Sequence, residues 1–260
     1  MEFILNWHPV IAVTILCVVT VSISYAGLKL VRKYFTEDVL RQNHEVGGFI
    51  FNAFGLIYAV LIAFVVFATW TEFDNSKKNV DRESIELTDI YHNSKALPEP
   101  FRKQVAPLLK AYTNDVINDE WQKLEHGEPS EKARESFNNL WTFFTTIDRS
   151  LIKNEIAYQE TLKHLNDAGE SRRMRLFDST NNIPGIIWVV LLFGAVVTVI
   201  YTYFFYAKNI RHQFVMTSAL TVLNTLILYM ILLLDNPFSG YTKVDTKPFE
   251  YVLQLLNAGM

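Results

Sequence analysis

Charged side chains are missing from four long stretches of this 260-residue chain. The sequence has 24 Lys+Arg and 27 Asp+Glu, yet none of them falls within residues 3–28, 46–71, 179–207 or 212–234. A bilayer core of about 30 Å is crossed by about 20 mainly apolar residues in a helix, so each stretch is long enough to span it. The charge distribution therefore excludes a soluble globular protein and predicts a multipass membrane protein.

Cysteine, glycine and proline are also scarce. Because Cys17 is the only cysteine, no intrachain disulfide and no cysteine-based metal site can form. Ten glycines and eight prolines exclude a collagen-like or a disordered chain. The apolar runs at 10–21 and 186–206 are nearly continuous and do not alternate with polar residues, so the spans are predicted to be helices rather than strands of a barrel.

The polar stretches between the spans predict an all-α membrane protein with four transmembrane helices and a helical extramembrane domain between spans 2 and 3. The expected divisions are 1–74 for helices 1 and 2, 75–180 for the helical domain, 181–240 for helices 3 and 4, and 241–260 for a short C-terminal tail. No helix-breaking pair separates the second span from the polar residues beyond it, so we expect one long amphipathic helix that ends near Leu97. Pro98 and Pro100 then break it.

Turn residues divide the rest of the chain. We expect a helix over 101–126, a turn in which Ser130 caps the next helix, and one or two helices over 131–178. The third span is expected to end near Tyr206, in a cluster of aromatic residues typical of a membrane interface. The tail contains a short amphipathic segment at 249–256.

Several classes of function find no support in the sequence. Residues 75–180 interleave 16 basic with 18 acidic residues, which is typical of a solvated helical surface and unlike a one-sided nucleic-acid patch. None of the six histidines belongs to a His-Glu-x-x-His motif, and there is no Gly-rich phosphate loop. Asp89 and His92 share a helix face and could hold a metal, although solvated helices often carry such pairs. We therefore predict no enzyme and no cofactor.

Uncharged residues within the spans offer two kinds of contact. Asn52 and Asn224 can either hydrogen bond between helices, which is the commoner role, or line a pore. Gly55, Ala59 and Ala63 recur every four residues and form a candidate helix-packing seam, at which another backbone could approach closely.

The spans contain no Lys, Arg, Asp or Glu, although coupled transporters and voltage sensors usually need an ionisable group there. A hydrophobic constriction that gates by dewetting needs none. The acidic group nearest the end of the fourth span is Asp235, followed by Asn236 and Pro237. This segment could attract cations at a pore mouth or fix a turn, and the turn is the commoner role.

Four segments carry a family resemblance. They are GLIYAVLIAF at 55–64 with Trp70 beyond it, DEW at 119–121, RRMRL at 172–176 and DNPFSG at 235–240. In order and spacing they resemble the bestrophin-like domain family, a group of bacterial four-span membrane proteins, over nearly the whole chain. That family is distantly similar to bestrophins, which are pentameric anion channels.

The resemblance implies a homo-oligomeric ion channel in the lipid bilayer, with anions as the expected ions and a pentamer by analogy. The narrow hydrophobic neck of bestrophins implies candidate pore-lining residues on the second span: Phe51, Asn52, Phe54, Ile57, Leu61 and Phe64. Calcium gating is not implied, because the acidic cluster that binds calcium in bestrophins is reduced here to Asp235, with Asp245 ten residues later. The alternative is a non-conducting membrane scaffold or envelope sensor whose helical domain binds a partner.

Basic residues predict the orientation in a bacterial inner membrane. The two short links between spans carry six of them: Lys29, Arg32, Lys33, Arg41, Lys208 and Arg211. The tail carries only Lys243 and Lys247. Since short cytoplasmic loops are enriched in Lys and Arg, we expect the links in the cytoplasm and the helical domain and both termini outside it. The opposite orientation stays open, because the resemblance to bestrophins implies a cytosolic domain and basic residues also flank the spans on the domain side: Lys77, Lys78, Arg82, Arg172, Arg173 and Arg175.

Overall fold

The chain divides into two compact units in a computed structural model that describes residues 5–42, 44–205 and 207–258. The transmembrane unit lies within Met1–Thr71 and Ile183–Asp235, and the extramembrane unit lies within Glu72–Asn182 and Asn236–Met260. The described residues form these α-helices, in chain order: α1 (Pro9–Tyr34), α2 (Glu37–Gln42), α3 (His44–Ser94), α4 (Phe101–Asp115), α5 (Trp121–Leu124), α6 (Glu131–Thr146), α7 (Glu155–Asp178), α8 (Gly185–Tyr203), α9 (Ile210–Leu234) and α10 (Lys247–Ala258).

Four of these helices, α1, α3, α8 and α9, are long and apolar enough to cross a membrane. No strand occurs in the described parts of the chain. The predicted fold class, a helical membrane protein with four spans and a helical domain between the second and the third, is therefore confirmed. The third span, α8, ends at Tyr203, and the predicted end at Tyr206 lies outside the described residues.

Helix α3 is a single helix of 51 residues, which corresponds to a length of about 77 Å. It begins before the second charge-free stretch and runs without a break into the charged sequence beyond it, as the sequence predicts. It ends at Ser94, three residues before the predicted end near Leu97, and Pro98 disfavours helical geometry at Leu97.

Small and polar side chains join the helices of the transmembrane unit. Asn224 of α9 donates a hydrogen bond to Thr198 of α8 at 3.1 Å, which confirms the interhelical role expected for this asparagine. Thr20 of α1 lies 3.0 Å from the Thr225 hydroxyl of α9. Lipid tails are as apolar as a neighbouring helix, so the hydrophobic effect does little to bring helices together in a membrane. Hydrogen bonds of this kind therefore contribute to their association.

One apolar core fills the extramembrane unit. Its fully buried members come from α3 (Val80, Leu87, Ile90), α4 (Val105, Leu109, Tyr112), α6 (Leu140, Phe144), α7 (Tyr158, Leu165) and α10 (Phe249, Val252). Ser130 caps α6 as predicted, since its hydroxyl accepts a hydrogen bond from the backbone N–H of Ala133 at 3.1 Å. Between α4 and α5, the π-helical turn Val116–Glu120 widens the helix, and both Glu120 and its neighbour Trp121 are buried.

The residues after span 4 belong to this core and do not form a separate tail. Phe249, Val252 and Leu256 lie on one face of α10, at positions i, i+3 and i+7, and all three are buried. Burial of such side chains contributes about 1.5–3 kcal/mol each, which is enough to dock a short helix. The amphipathic segment expected at 249–256 is therefore the face with which α10 packs on the extramembrane unit.

Candidate functional site

The candidate pore-lining residues lie on the transmembrane part of α3, and three of them share one exposed side. Ile57 and Phe64 are 71% and 70% exposed, and Leu61 between them is partly buried. Positions i, i+4 and i+7 of an α-helix fall within an arc of about 60°, so these side chains form a continuous apolar stripe.

The other candidates point elsewhere. The ring of Phe51 stacks on Tyr201 with 5.5 Å between centroids and meets Phe205 edge-on, so it packs within the transmembrane unit. The ring of Phe54 is stacked on that of Tyr58, 6.4 Å away along the same helix. Asn52 is exposed, about 140° around the helix from Ile57. The six candidates therefore do not share one face.

The packed side of α3 is defined by Tyr58. Its hydroxyl donates to the backbone carbonyl of Leu191 at 2.8 Å, and its ring lies against Gly194 of α8. A β-carbon added at Gly194 would lie 2.2 Å from Cε2 of Tyr58, so only glycine fits at this contact. Val65, further along the same side, packs with Leu191 and Ile231.

The opposite side of α3 exposes bulky residues that the sequence reasoning did not select. Leu56 and Val60, each two positions from Tyr58 and so about 160° around the helix from it, are 68% and 49% exposed. Phe64, four positions beyond Val60, continues this row. The signal was present in the sequence as an i, i+4, i+8 apolar spacing, but the uniformly apolar helix offers several such rows.

The candidate seam of Gly55, Ala59 and Ala63 is not occupied by the described residues of this chain. A β-carbon added at Gly55 would have no atom of the described chain within 4 Å, and Ala59 and Ala63 are exposed. Close helix approaches within the chain occur at Gly194 and at Gly27 instead. The seam is therefore a flat, open face beside the exposed apolar row.

The structure places Asp235 in a turn. One carboxylate oxygen accepts a hydrogen bond from the backbone N–H of Ile183 at 2.7 Å, and the other accepts from Trp188 Nε1 at 3.2 Å. The side chain is buried, and burial raises the pKa of Asp235 despite these hydrogen bonds. In the following segment, the amide oxygen of Asn236 accepts from Asn182 at 3.3 Å, and the backbone carbonyl of Pro237 accepts from Val244 at 2.8 Å.

A buried ionic network lies in the extramembrane unit. Arg175 donates from Nε to Glu83 at 2.8 Å and from Nη2 to Glu120 at 2.7 Å. Arg172 donates to the other oxygen of Glu120 at 2.6 Å, and the Tyr112 hydroxyl donates to Glu83. Glu83, Glu120 and Arg175 have no solvent exposure and the Arg172 side chain is 10% exposed, so the network is almost entirely buried.

The pKa values in this network follow from its pairing. Burial by itself would raise the pKa of Glu120, but the charges of Arg175 and Arg172 outweigh it and hold that pKa below its usual value. Burial would likewise lower the pKa of Arg175, but Glu83 and Glu120 raise it. Burial and the neighbouring Glu83 carboxylate raise the pKa of Tyr112 well above its usual value. Glu120 is therefore ionised at neutral pH, and Tyr112 is neutral.

Sequence reasoning did not identify this network, although its position leaves a trace. Glu83 lies between Val80 and Leu87 on the apolar stripe of α3, where a solvated glutamate is not expected. Arg172 and Arg175 are one turn apart and face the same side of α7. A charged residue on an otherwise apolar stripe is the signal that could have found the network.

A sequence profile of the bestrophin-like domain family matches residues 18–249, most of the chain. The chain belongs to the bestrophin-like domain family. The family resemblance drawn from the four sequence segments is thus confirmed. Among curated proteins, no sequence is similar enough to this bestrophin-like chain to count as a match.

Solved structures share the fold of the bestrophin-like chain. A crystal structure of a membrane protein has a TM-score of 0.71 at 11% identity and covers 95% of this chain and 97% of its own. Crystal structures of two mutants of a bacterial bestrophin homolog from Klebsiella pneumoniae have TM-scores of 0.69 and 0.71, each at 11% identity. They cover 93% and 94% of this chain, and 99% of their own chain in each case. The fold is thus that of bestrophin homologs, although the sequences have diverged widely.

Three of the bestrophin-like sequence segments meet at the buried network. The guanidinium of Arg175, in the third segment, lies 5.5 Å from the ring centroid of Trp121 in the second. The Trp121 ring packs edge-on against Phe238 of the fourth segment, with 5.8 Å between centroids. Trp121 Nε1 also donates to the carbonyl of Val244 at 3.3 Å. These segments therefore build the core of the extramembrane unit.

Proposed function

We propose that this protein is the subunit of a homo-oligomeric ion channel in which copies of α3 surround a central axis. The observation that carries the proposal is the arrangement of three faces on one helix. The Tyr58 side packs on the helices of its own chain, the seam at Gly55, Ala59 and Ala63 is open to a neighbour, and Leu56 and Val60 face away from the packed side. A ring of such helices would direct the last face toward its axis.

The same arrangement supports a dewetting gate. A ring of Leu56, Val60 and Phe64 would form a narrow apolar constriction, which blocks ions without any charged group. The pore-lining residues expected from the family resemblance are Phe51, Asn52, Phe54, Ile57, Leu61 and Phe64, so the two sets share Phe64. Val60 belongs only to the first set and Leu61 only to the second, so single substitutions at these two positions show which set forms the constriction.

Anions are the proposed permeant ions, and a pentamer the proposed assembly, by analogy with bestrophins. Asn52 supports anion selectivity, because its exposed amide N–H groups can donate hydrogen bonds to an anion. The amide carries no charge, so it would solvate an anion without binding it tightly.

Purified full-length protein in planar bilayers tests the proposal, together with its mass in detergent. We expect an oligomer and a current whose reversal potential in a salt gradient follows the anion. Val60→Ala and Phe64→Ala should increase the current by widening the apolar ring. Val189→Ala, on an exposed apolar position of α8, is the matched control and should leave the current unchanged.

A monomer, or an oligomer that stays silent at every voltage and pH, would overturn the channel proposal and favour the scaffold or envelope sensor. An increase in current with Leu61→Ala and none with Val60→Ala would instead place the constriction on the Ile57, Leu61 and Phe64 stripe.

The proposed location is the bacterial inner membrane, with the extramembrane unit and the termini outside the cytoplasm. The six basic residues on the short links support this orientation. An alkaline phosphatase fused after Ala258 should be active, and a fluorescent protein that folds only in the cytoplasm should be dark at the same position. The reverse pattern would place the extramembrane unit in the cytoplasm.

A further inference from the structure

A histidine and two carboxylates from two different helices converge in the extramembrane unit. His164 Nδ1 of α7 lies 2.6 Å from Oε2 of Glu86 and 3.9 Å from Oδ2 of Asp89, both on α3. The three potential ligand atoms all lie within 4.8 Å of one another. Each side chain is only partly exposed, so their geometry is set by helices that are packed on a common core.

We propose that His164, Glu86 and Asp89 form a binding site for a divalent first-row transition metal, with Zn²⁺ as the best match. An imidazole nitrogen favours such metals over Mg²⁺ and Ca²⁺, which prefer sets made only of oxygen ligands. Zinc binds both ligand types present here, imidazole nitrogen and carboxylate oxygen, and its catalytic sites have three protein ligands with a position left for water.

The required adjustment is small. Ligands at about 2.0–2.1 Å from a tetrahedral ion lie about 3.3 Å from each other. The separation between His164 and Glu86 must therefore widen from 2.6 Å, and that between His164 and Asp89 must shorten from 3.9 Å. Both changes are less than 1 Å, and the ligand atoms of Glu86 and Asp89, which are at most 4.8 Å apart, come from positions one turn apart on the same helix.

A polar cleft beside Glu86 supports the site independently. It has a volume of about 310 Å³ and is lined by Arg82, Glu86, Asp167, Glu170 and Ser171. The buried Ser171 hydroxyl faces this cleft and has no hydrogen-bond partner within the described ranges. The cleft therefore has the space for waters that complete the coordination of a metal.

The local charge favours a cation. The cleft and the ligand set together contain four carboxylates and one guanidinium besides His164. In the structure His164 is paired with Glu86 alone, because the 3.9 Å between His164 Nδ1 and Asp89 Oδ2 is too long for a hydrogen bond. A divalent ion would use all three side chains and would link α3 to α7 between positions 78 residues apart in sequence.

The test uses tag-free full-length protein in detergent, treated with a chelator and then titrated with Zn²⁺ or Co²⁺ alone. We expect one ion per chain, a visible absorption band with Co²⁺, and a higher melting temperature with Zn²⁺. His164→Gln keeps a donor for Glu86 but should weaken Zn²⁺ binding about tenfold or more, as should Asp89→Asn. Circular dichroism of each variant checks that the fold is intact.

His92→Gln is the matched control, because His92 is exposed and also lies one turn from Asp89 on α3. It should bind Zn²⁺ like the wild type. Equal affinity of the wild type and His164→Gln would overturn the proposal, and so would loss of binding in His92→Gln. No Zn²⁺ binding by the wild type would also overturn it and would leave His164 as a hydrogen-bond partner of Glu86.

Discussion

Arg175 donates a hydrogen bond from Nε to Glu83 Oε2 at 2.8 Å, and neither side chain is exposed to solvent. The two residues lie 92 positions apart, on α7 and α3, so their pairing joins the two helices that flank the extramembrane sequence. A buried ion pair of this kind is costly to form but still more costly to break, since the loss of one partner leaves an uncompensated charge.

Arg175→Met should therefore destabilise the protein by about 3–5 kcal/mol, because Glu83 and Glu120, which are both fully buried, lose a partner. Thermal unfolding followed by circular dichroism measures the effect. Arg173→Met is the control, since Arg173 is an exposed neighbour on the same helix. An equal loss of stability in both variants would show that the network is not the cause.

The pH dependence of stability follows from Glu120. Because its pKa is lower in the folded protein than the usual value of 4.5, the folded state binds the proton less readily than the unfolded state. Its contribution to stability is thus fully present above pH 4.5 and is lost as the pH falls toward the lowered pKa. We expect the free energy of unfolding, measured by denaturant titration at a series of pH values, to decrease as the pH falls through that range. Glu120→Gln should reduce this pH dependence. Glu131→Gln, at an exposed position, should leave it unchanged.

Gly194→Ala tests the packed side of α3. A β-carbon 2.2 Å from Tyr58 Cε2 forces the ring or the helix to move, so we expect a large loss of folded protein, measured by size exclusion in detergent. Gly185→Ala, with nothing within 4 Å of its added β-carbon, is the control. A second change, Tyr58→Leu, should restore part of the yield of Gly194→Ala. Full tolerance of the single variant would mean that the two helices lie further apart.

Ala59→Leu tests the seam. The open face allows a leucine within the chain, but a bulky side chain would keep a neighbouring helix at a distance. We expect an unchanged melting profile of the subunit and a shift to smaller assemblies in light scattering. Ala219→Leu, at an exposed position of α9, should not alter the assembly. A full-size oligomer from Ala59→Leu would move the subunit interface to another helix.

Much of the fold was predictable because its signals are local. A charge-free stretch predicts a span wherever it occurs. Pro98 indicates that α3 ends before it, and Ser130 indicates that α6 begins after it. Contacts between distant segments leave weaker signals. The burial of Glu83 depends on Arg175, which approaches only in the folded chain, and the docking of α10 depends on a partner surface built by earlier helices.

The candidate site was less predictable than the fold. Almost every residue of the apolar part of α3 is suitable for a membrane, so periodicity alone could not separate the packed side at Tyr58 from the exposed one. The contact that orients the helix is made by Gly194, whose small size is meaningful only next to the Tyr58 ring. Likewise, the hydrogen bonds that Asp235 accepts from Ile183 and Trp188 form only in the folded chain and could not be predicted from its place near a span.

The position of α10 has a consequence for how the protein is made on the ribosome. The core of the extramembrane unit needs Phe249, whose ring lies 5.5 Å from the Arg175 guanidinium, yet α8 and α9 intervene between these residues in the chain. Domains of a growing chain fold from the N-terminus as sequence emerges. This unit cannot complete its core in that order, because α10 is synthesised last. One side of α7 stays uncovered until α8 and α9 have been synthesised and inserted. The charged network, whose members all precede α8, is therefore covered late, and a membrane insertion fault in α8 or α9 would leave Arg175 without the cover of α10.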